Sequence, residues 1–197
     1  MVGLVVAGPA YANTIFDLTS DHCTGGCGTP PFGTVTLAQN GSTVDVTVDL
    51  ADGYAFAKTG AADFQAFKFN GTAIVLGDVT VDQTVLGQTL AATTGALNGD
   101  GTGNFLFGIE CSTCGNGGSD AFSDNIVFHV ADATIADLTV PNNLGNVFVA
   151  DVLTPNGNTG PVDATTPRNG VPEPASLMLL GAGLAAIGIW RRKSGQI

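Results

Sequence analysis

TVTLAQNGSTVDVTVDL, residues 34–50, decides the fold class of this chain. Apolar and polar residues alternate over Thr34–Gln39 and again over Thr43–Leu50, and a period of two residues is typical of half-buried β-strands. Asn40-Gly41 separates the two runs, and Asn-Gly between alternating runs is the strongest short-range signal of a β-hairpin. We therefore predict two antiparallel strands joined by a tight turn.

The rest of the central sequence shows the same pattern. A second Asn-Gly, at residues 70–71, lies between Phe64–Phe69 and Thr72–Leu76 and predicts a second hairpin. Further strands are predicted at Thr14–Leu18, Val79–Leu86, Asn104–Glu110, Ile126–Ala131, Ile135–Val140 and Val147–Leu153. Short strands separated by Gly, Asn and Asp predict an all-β fold, with a single antiparallel β-sandwich or jelly-roll-like domain over residues 13–153.

The polar segment that follows differs in composition. Residues 154–170, TPNGNTGPVDATTPRNG, are rich in Gly, Pro, Asn and Thr and have no apolar period. Such a composition is typical of a flexible, partly extended linker. We expect this linker to separate the domain from the C-terminal segment.

The C-terminal segment, residues 171–193, has three parts in a fixed order. Pro172, Glu173 and Pro174 form a triplet in which the prolines oppose helix formation. An uncharged apolar run from Ala175 to Trp190 follows, and it can satisfy its backbone in a bilayer only as a helix. Arg191, Arg192 and Lys193 then form a basic stop-transfer cluster, which favours the cytoplasmic side of the membrane. We predict a transmembrane helix over residues 175–190.

This order of elements resembles the PEP-CTERM sorting signal of Gram-negative bacteria that produce exopolysaccharide. The resemblance rests on Val-Pro-Glu-Pro-Ala-Ser, the Leu- and Gly-rich run and the terminal Arg-Arg-Lys. It implies recognition by an exosortase, a membrane-embedded transpeptidase-like enzyme, as a transient partner, and cleavage near Pro172–Pro174. A plain membrane anchor is the alternative, although an anchor alone does not require the Pro-Glu-Pro triplet.

The N-terminus agrees with export. Residues 1–12, MVGLVVAGPAYA, are apolar and end in Ala10-Tyr11-Ala12, the small-residue pattern of a signal-peptidase site. The segment is short and lacks a basic start, so we interpret it as a truncated signal peptide remnant. The protein is then expected to cross the inner membrane, to be anchored there transiently, and to reach the cell surface or extracellular matrix.

Charge narrows the classes of partner. Without the charged residues of the tail, the chain has sixteen acidic residues and three basic ones, Lys58, Lys68 and Arg168. Such an acidic surface repels nucleic acid and anionic lipid, so we predict no nucleic-acid partner. It is compatible with divalent cations and with neutral or hydrated polysaccharide.

Four cysteines form two clusters, Cys23/Cys27 and Cys111/Cys114. In an exported protein an even number of cysteines favours disulfides, and the sequence leaves local and crossed pairings open. A four-thiolate zinc site, with His22 as a possible substitute ligand, and a redox-active Cys-x-x-Cys are the alternatives. We predict disulfides, with no metal and no cofactor.

The remaining sequence patterns give weaker evidence of function. His129 lies inside an apolar run and is expected to face a strand surface, while the loop Asn98–Asn104 resembles a calcium loop but fits a tight hairpin better. The sequence contains no nucleophile-elbow, zincin or phosphate-loop motif. We expect a non-enzymatic protein with a structural or adhesive role. In that role it would associate with the exopolysaccharide of a biofilm. A secreted carbohydrate-active hydrolase and a metal-binding module are the alternatives.

Overall fold

The computed structural model describes residues 13–59 and 64–168. Within these residues the chain forms twelve strands, one 3-10 turn at Leu76–Asp78 and one short helix, α1, at Ile135–Leu138. The strands are β1 (Asn13–Leu18), β2 (Ser20–Asp21), β3 (Gly33–Asn40), β4 (Thr43–Leu50), β5 (Ala55–Phe56), β6 (Gln65–Phe69), β7 (Val79–Val81), β8 (Leu90–Asn98), β9 (Asn104–Cys111), β10 (Ile126–Val130), β11 (Phe148–Leu153) and β12 (Thr159–Ala164). No helix in the described ranges is long and apolar enough to cross a membrane.

The strands form two antiparallel sheets. Sheet A has the order β1-β3-β4-β10-β7, and sheet B has the order β2-β12-β11-β6-β9-β8 with β5 paired to β11. The chain passes from sheet A to sheet B at Thr19, whose amide donates to the carbonyl of Asp163. The predicted all-β, antiparallel sandwich is therefore confirmed.

Aromatic side chains join the two sheets. Phe16 and Phe128 project from sheet A, while Phe67, Phe69 and Phe148 project from sheet B. All five are buried, and the rings of Phe16 and Phe148 meet edge-on at 4.9 Å between centroids. Phe128 packs against both Phe67 and Phe69. The core of the sandwich lies between the inward faces of the two sheets.

The first predicted hairpin is confirmed in register. Thr43 lies opposite Asn40, and Val46 opposite Leu37, so the apolar residues of both strands face the core. Gly41 adopts a φ of 63°, which the tight turn requires and glycine adopts without strain. The apolar periodicity and the Asn-Gly turn both favour this register, so the sequence was sufficient to predict the hairpin.

The second predicted hairpin is wrong. β6 ends at Phe69 as expected, but residues 72–76 form no strand. Asn70 is buried, and its side-chain oxygen accepts a hydrogen bond from the amide of Leu106 in β9. Thr72 then hydrogen-bonds to the carbonyl of Asp137, which draws the chain away from β6. A tertiary contact thus replaces the turn that Asn-Gly favours.

Two other strand predictions need correction. The residues predicted as a strand at Ile135–Val140 instead begin with α1, and the strand predicted over Val79–Leu86 ends at Val81. Thr134 explains the helix, because its hydroxyl and its amide both hydrogen-bond to the Asp137 carboxylate, at 2.6 and 2.9 Å. These bonds lower the pKa of Asp137. Thr-x-x-Asp before an apolar residue is a helix-capping signal that the strand prediction overlooked.

The predicted linker is also wrong over most of its length. Residues 159–164 form β12, which pairs with β11 on one side and β2 on the other. A tight turn joins β11 to β12, with the amide of Thr154 donating to the carbonyl of Asn158. Val162 and Ala164 are fully buried. The Gly- and Pro-rich composition conceals the strand, because the burial that stabilises β12 comes from its neighbours.

The folded domain extends to Arg168. The guanidinium of Arg168 donates two hydrogen bonds to the Asp17 carboxylate, and the one from Nε to Oδ2 measures 2.9 Å. The backbone amide of Arg168 donates to the carbonyl of Ile15. Arg168 lowers the pKa of Asp17 below its ordinary value of 3.8, chiefly through the side-chain hydrogen bond. The last residues of the domain are therefore attached to the first strand.

We expect Arg168→Gln to lower the urea midpoint slightly at pH 7, because both side chains are partly exposed and water screens their attraction. Since the pKa of Asp17 is depressed by folding, its contribution is present above pH 4 or so and is lost as the pH falls through the lowered pKa. The variant and the wild type should converge in acid. Asp17→Asn should have the same urea midpoint as Arg168→Gln. A difference in midpoint between wild type and variant that persists after Asp17 is protonated would show that the Asp17–Arg168 ion pair is not its cause.

Candidate functional sites of the domain

The cysteines form two local disulfides, Cys23–Cys27 and Cys111–Cys114. The prediction of disulfides is confirmed, and of the local and crossed pairings that the sequence left open, the structure has the local one. Neither disulfide joins the two clusters. Each one closes a short loop beside a strand of sheet B.

The Cys23–Cys27 loop is held from several directions. The Asp21 carboxylate accepts the amides of Cys23 and Cys27, at 3.0 and 2.8 Å. The Tyr54 hydroxyl donates to the carbonyl of Cys27 at 2.7 Å, and the Asn158 side chain donates to the carbonyl of Gly26 at 2.9 Å. These bonds attach the loop to the β11–β12 turn and to the segment that precedes β5.

Asp21, Cys23 and Cys27 bring three atoms of metal-binding type within 4.8 Å of one another. The two sulfurs are bonded to each other, so neither supplies the thiolate that zinc requires. The Asp21 carboxylate is already occupied by two backbone amides. This cluster therefore caps a disulfide loop, and its donor set does not fit zinc.

The Cys111–Cys114 loop follows the end of β9. Thr113 donates to the side-chain oxygen of Gln88 at 2.6 Å and accepts the amide of Thr89 at 2.9 Å. Cys111 and Cys114 are buried, and Cys111 ends a strand rather than beginning a helix. Redox-active cysteine pairs depend on an accessible sulfur with a lowered pKa. The surroundings of this pair fit a structural disulfide.

The calcium-like loop is a hairpin turn, as the sequence favoured. β8 and β9 pair through Asn98 and Asn104, and the loop between them is closed by the bond from the Gly99 amide to the Gly103 carbonyl. Thr102 is buried, and its carbonyl accepts hydrogen bonds from the side chains of Asn142 and Asn146, at 2.8 and 2.9 Å. These contacts explain the loop as a structural element.

The two histidines lie on different sheets. His129 lies on β10 in sheet A, one-third exposed, with Nδ1 2.7 Å from a carboxylate oxygen of Asp82. His22 follows β2 in sheet B, with Nε2 2.8 Å from Oδ2 of Asp163. Asp163 is 1 % exposed while His22 is well exposed. The prediction that His129 faces a strand surface is confirmed.

Charged residues are also buried on the outer side of sheet B. Lys68 on β6 and Asp151 on β11 are fully buried, and Nζ of Lys68 lies 2.5 Å from Oδ2 of Asp151. Asp163 on β12 lies on the same side of the sheet, because Lys68 and Asp163 are both paired with Val149. These three residues, which we call the buried charge cluster (Lys68, Asp151 and Asp163), were missed by sequence reasoning. A signal existed, because Lys68 and Asp151 each interrupt a run of apolar residues inside a strand.

The outer side of sheet A has a different character. Five of its outward positions are Asn13, Ile15, Ala38, Asn40 and Val127. The other outward positions carry threonine, aspartate or histidine, in register across neighbouring strands; they are Asp17, Thr34, Thr36, Thr43, Asp45, Thr47, Asp49, Thr80 and His129. We call these nine residues the polar face. Asp45 and Asp49 are exposed, and Thr47 between them is half-buried. The face is rich in hydroxyl and carboxylate groups.

Comparison with known proteins assigns the tail. Residues 170–193 match the family model of the PEP-CTERM protein-sorting motif. No curated protein and no solved structure matches the chain. The motif begins two residues after Arg168, where the described domain ends. Pro172–Pro174, Arg191–Lys193, the predicted transmembrane helix at 175–190 and the N-terminal segment 1–12 lie outside the described residues.

Proposed function

We propose that the domain delivered by the PEP-CTERM motif is a non-enzymatic structural or adhesive component of the extracellular matrix. The motif itself indicates an exported surface protein that is recognised by an exosortase. Before cleavage near Pro172–Pro174 the chain is anchored transiently in the inner membrane, and afterwards the domain associates with exopolysaccharide. The polar face of sheet A is the observation that carries this proposal.

The polar face suits hydrated contacts with polysaccharide. Hydroxyl groups of threonine donate and accept hydrogen bonds, as sugar hydroxyls do. The exposed carboxylates of Asp45 and Asp49 lie on one strand, two outward positions apart along β4. Carboxylate oxygens are the ligands that Ca²⁺ prefers, so a cation can bridge this face to carboxylate groups of an acidic polysaccharide.

Shape favours an extended ligand over an enclosed one. None of the nine polar-face residues is Phe, Tyr or Trp, so stacking of sugar rings does not supply affinity there. At one end of the face a shallow recess of about 140 Å³ is lined by Pro31, Gly33, Thr34, Asp49, Leu50 and Ala51. Pockets that enclose small ligands typically measure about 300–1,000 Å³. Many weak contacts spread over an open face suit a polymer.

The test measures binding of the purified full-length chain, in detergent, to matrix polysaccharide from its own host. We expect binding in millimolar Ca²⁺, and a loss of about tenfold or more with chelator or in the Asp45→Asn/Asp49→Asn variant. The matched control is Asp100→Asn/Asp120→Asn, which removes the same charge from exposed loops. Both control residues have positive φ, 48° and 55°, a conformation that asparagine tolerates.

Unchanged binding by the Asp45/Asp49 variant, or an equal loss in the control, would contradict the role of the polar face. The same samples are then incubated with the polysaccharide and assayed for new reducing ends. Turnover would overturn the non-enzymatic proposal and favour the hydrolase.

A further inference from the structure

An amine and a carboxyl group are in direct contact inside this domain. Lys68 on β6 lies opposite Val149 on β11, so Lys68 and Asp151 are diagonal neighbours on one side of sheet B. Both side chains are fully buried, and Nζ lies 2.5 Å from Oδ2 of Asp151. Nζ also donates to the carbonyl of Gln65, at 3.1 Å. The polar face and the sorting motif do not involve these residues.

The contact brings reactive atoms together. Oδ2 is bonded to Cγ at about 1.2 Å, so Nζ lies at most about 3.7 Å from Cγ. Reacting atoms in a near-attack arrangement are about 3–3.5 Å apart. Burial excludes the water that would favour hydrolysis over condensation. It also makes the ion pair costly to maintain, because both charges have lost their hydration.

We propose that Lys68 and Asp151 condense to an intramolecular amide bond that cross-links β6 and β11. A proton first passes from Nζ to the carboxylate, which leaves a neutral amine and a carboxylic acid. The amine lone pair attacks Cγ, the Nζ–Cγ bond forms and one Cγ–O bond breaks. The departing oxygen leaves as water, with the proton it received and a second proton from the nitrogen. The ammonium and the carboxylate thus become one amide and one water molecule, with no oxidant or cofactor.

Asp163 is placed to position a proton for this step. It is paired with Val149 and is therefore a diagonal neighbour of Asp151, on the same side of the sheet. The Oδ1 atoms of Asp151 and Asp163 are both buried without a hydrogen-bond partner in the described part of the chain. Carboxylate oxygens only accept, so a proton on either carboxyl group would supply a donor beside these unsatisfied acceptors. His22 connects Asp163 to solvent through its contact of 2.8 Å.

Intact mass of the full-length chain, reduced and alkylated, tests the bond. We expect the wild type to be lighter than its sequence by one water molecule, and Lys68→Arg to have its full sequence mass. Water can also be lost by cyclisation at Asp52-Gly53 or Asp100-Gly101, but that loss would persist in Lys68→Arg. A wild-type mass equal to the sequence mass would overturn the proposal, whether or not any variant folds.

Digestion locates the bond. Trypsin cannot cut after an acylated Lys68, and glutamyl endopeptidase cuts after Glu110, the one glutamate between Lys68 and Asp151. Together the two enzymes should release residues 59–110 and 111–168 as one branched peptide from the wild type. Three separate pieces, residues 59–68, 69–110 and 111–168, would overturn the proposal.

The role of Asp163 has its own measurement. In Asp163→Asn we expect the cross-linked fraction, followed by mass from the time of folding, to rise at least tenfold more slowly than in the wild type. The circular dichroism spectrum and the absence of free thiols show that the variant folds. His22→Gln is the milder comparison, because it leaves the carboxylate in place. Cross-linking at the wild-type rate in folded Asp163→Asn would remove Asp163 from the mechanism.

Discussion

Phe67→Ala is expected to lower the free energy of unfolding by about 3–5 kcal/mol, the usual cost of truncating a buried phenylalanine. Phe67 is fully buried, and its ring contacts those of Phe69, Phe128 and Phe148, with centroids at 6.1, 6.0 and 5.8 Å. Because Phe128 belongs to sheet A and the other three to sheet B, the cavity would open between the sheets. Domains are stable by about 5–15 kcal/mol in total, so the loss is a large share.

Urea unfolding followed by circular dichroism measures this loss in the full-length chain. Phe64→Ala is the matched control, because it removes the same side chain from a position that is 39 % exposed. Phe64 lies under the Lys58 ammonium, 4.2 Å from its ring centroid, and a contact of that kind contributes about 0.5–1 kcal/mol. Equal losses in the two variants would show that the aromatic cluster does not hold the sheets together.

Asp151→Ala should lower the free energy of unfolding at least as much as Phe67→Ala does, because the Lys68 amine stays buried and loses its carboxylate partner. Breaking a buried ion pair by removing one partner costs about 3–5 kcal/mol. Lys68→Met/Asp151→Leu removes both charges, and such replacements are often neutral or stabilising when the pair is only ionic. If the amide bond forms, the double variant also loses a cross-link between residues 83 positions apart. We then expect it to stay about 4–5 kcal/mol below the wild type, by the loop-entropy model.

The double variant therefore separates two accounts of the buried charge cluster. A deficit of several kcal/mol supports the cross-link, and stability equal to or above that of the wild type supports a plain ion pair. The same urea titration serves, with the intact mass of each sample recorded beside it. Lys58→Met/Asp52→Leu is a suitable control, because it makes the same chemical changes at positions that are not fully buried.

Local signals predicted the structure well where burial follows the sequence pattern. The hairpin at residues 34–50, and strands β1, β9, β10 and β11, were all identified within one or two residues of their ends. In β3 and β4 apolar and polar residues alternate, and β1, β9, β10 and β11 are rich in apolar residues. β8 was missed, because Leu90–Asn98 is rich in Ala, Thr and Gly and most of its residues are exposed or half-buried.

The candidate sites also divide into those that the sequence predicted and those that depend on tertiary packing. The sorting motif needs no fold to be recognised, because the order of its triplet, apolar run and basic cluster lies entirely in the sequence. The disulfides were predicted from composition and export, but not their pairing, because four cysteines allow three connectivities. The buried charge cluster was not found, because burial of Lys68 and Asp151 depends on what covers the outer side of sheet B.

The sequence by itself determined the all-β class, the first hairpin, the presence of disulfides and the sorting motif. Each depends on neighbours along the chain or on residue types alone. The tertiary structure decided that residues 159–164 form a strand, that the disulfides are local and that Lys68 meets Asp151. Those outcomes depend on residues far apart in sequence, whose packing sets burial and pairing. A local sequence pattern does not encode such distant contacts. Gly160-Pro161 therefore has the composition of a linker, although it lies inside a sheet.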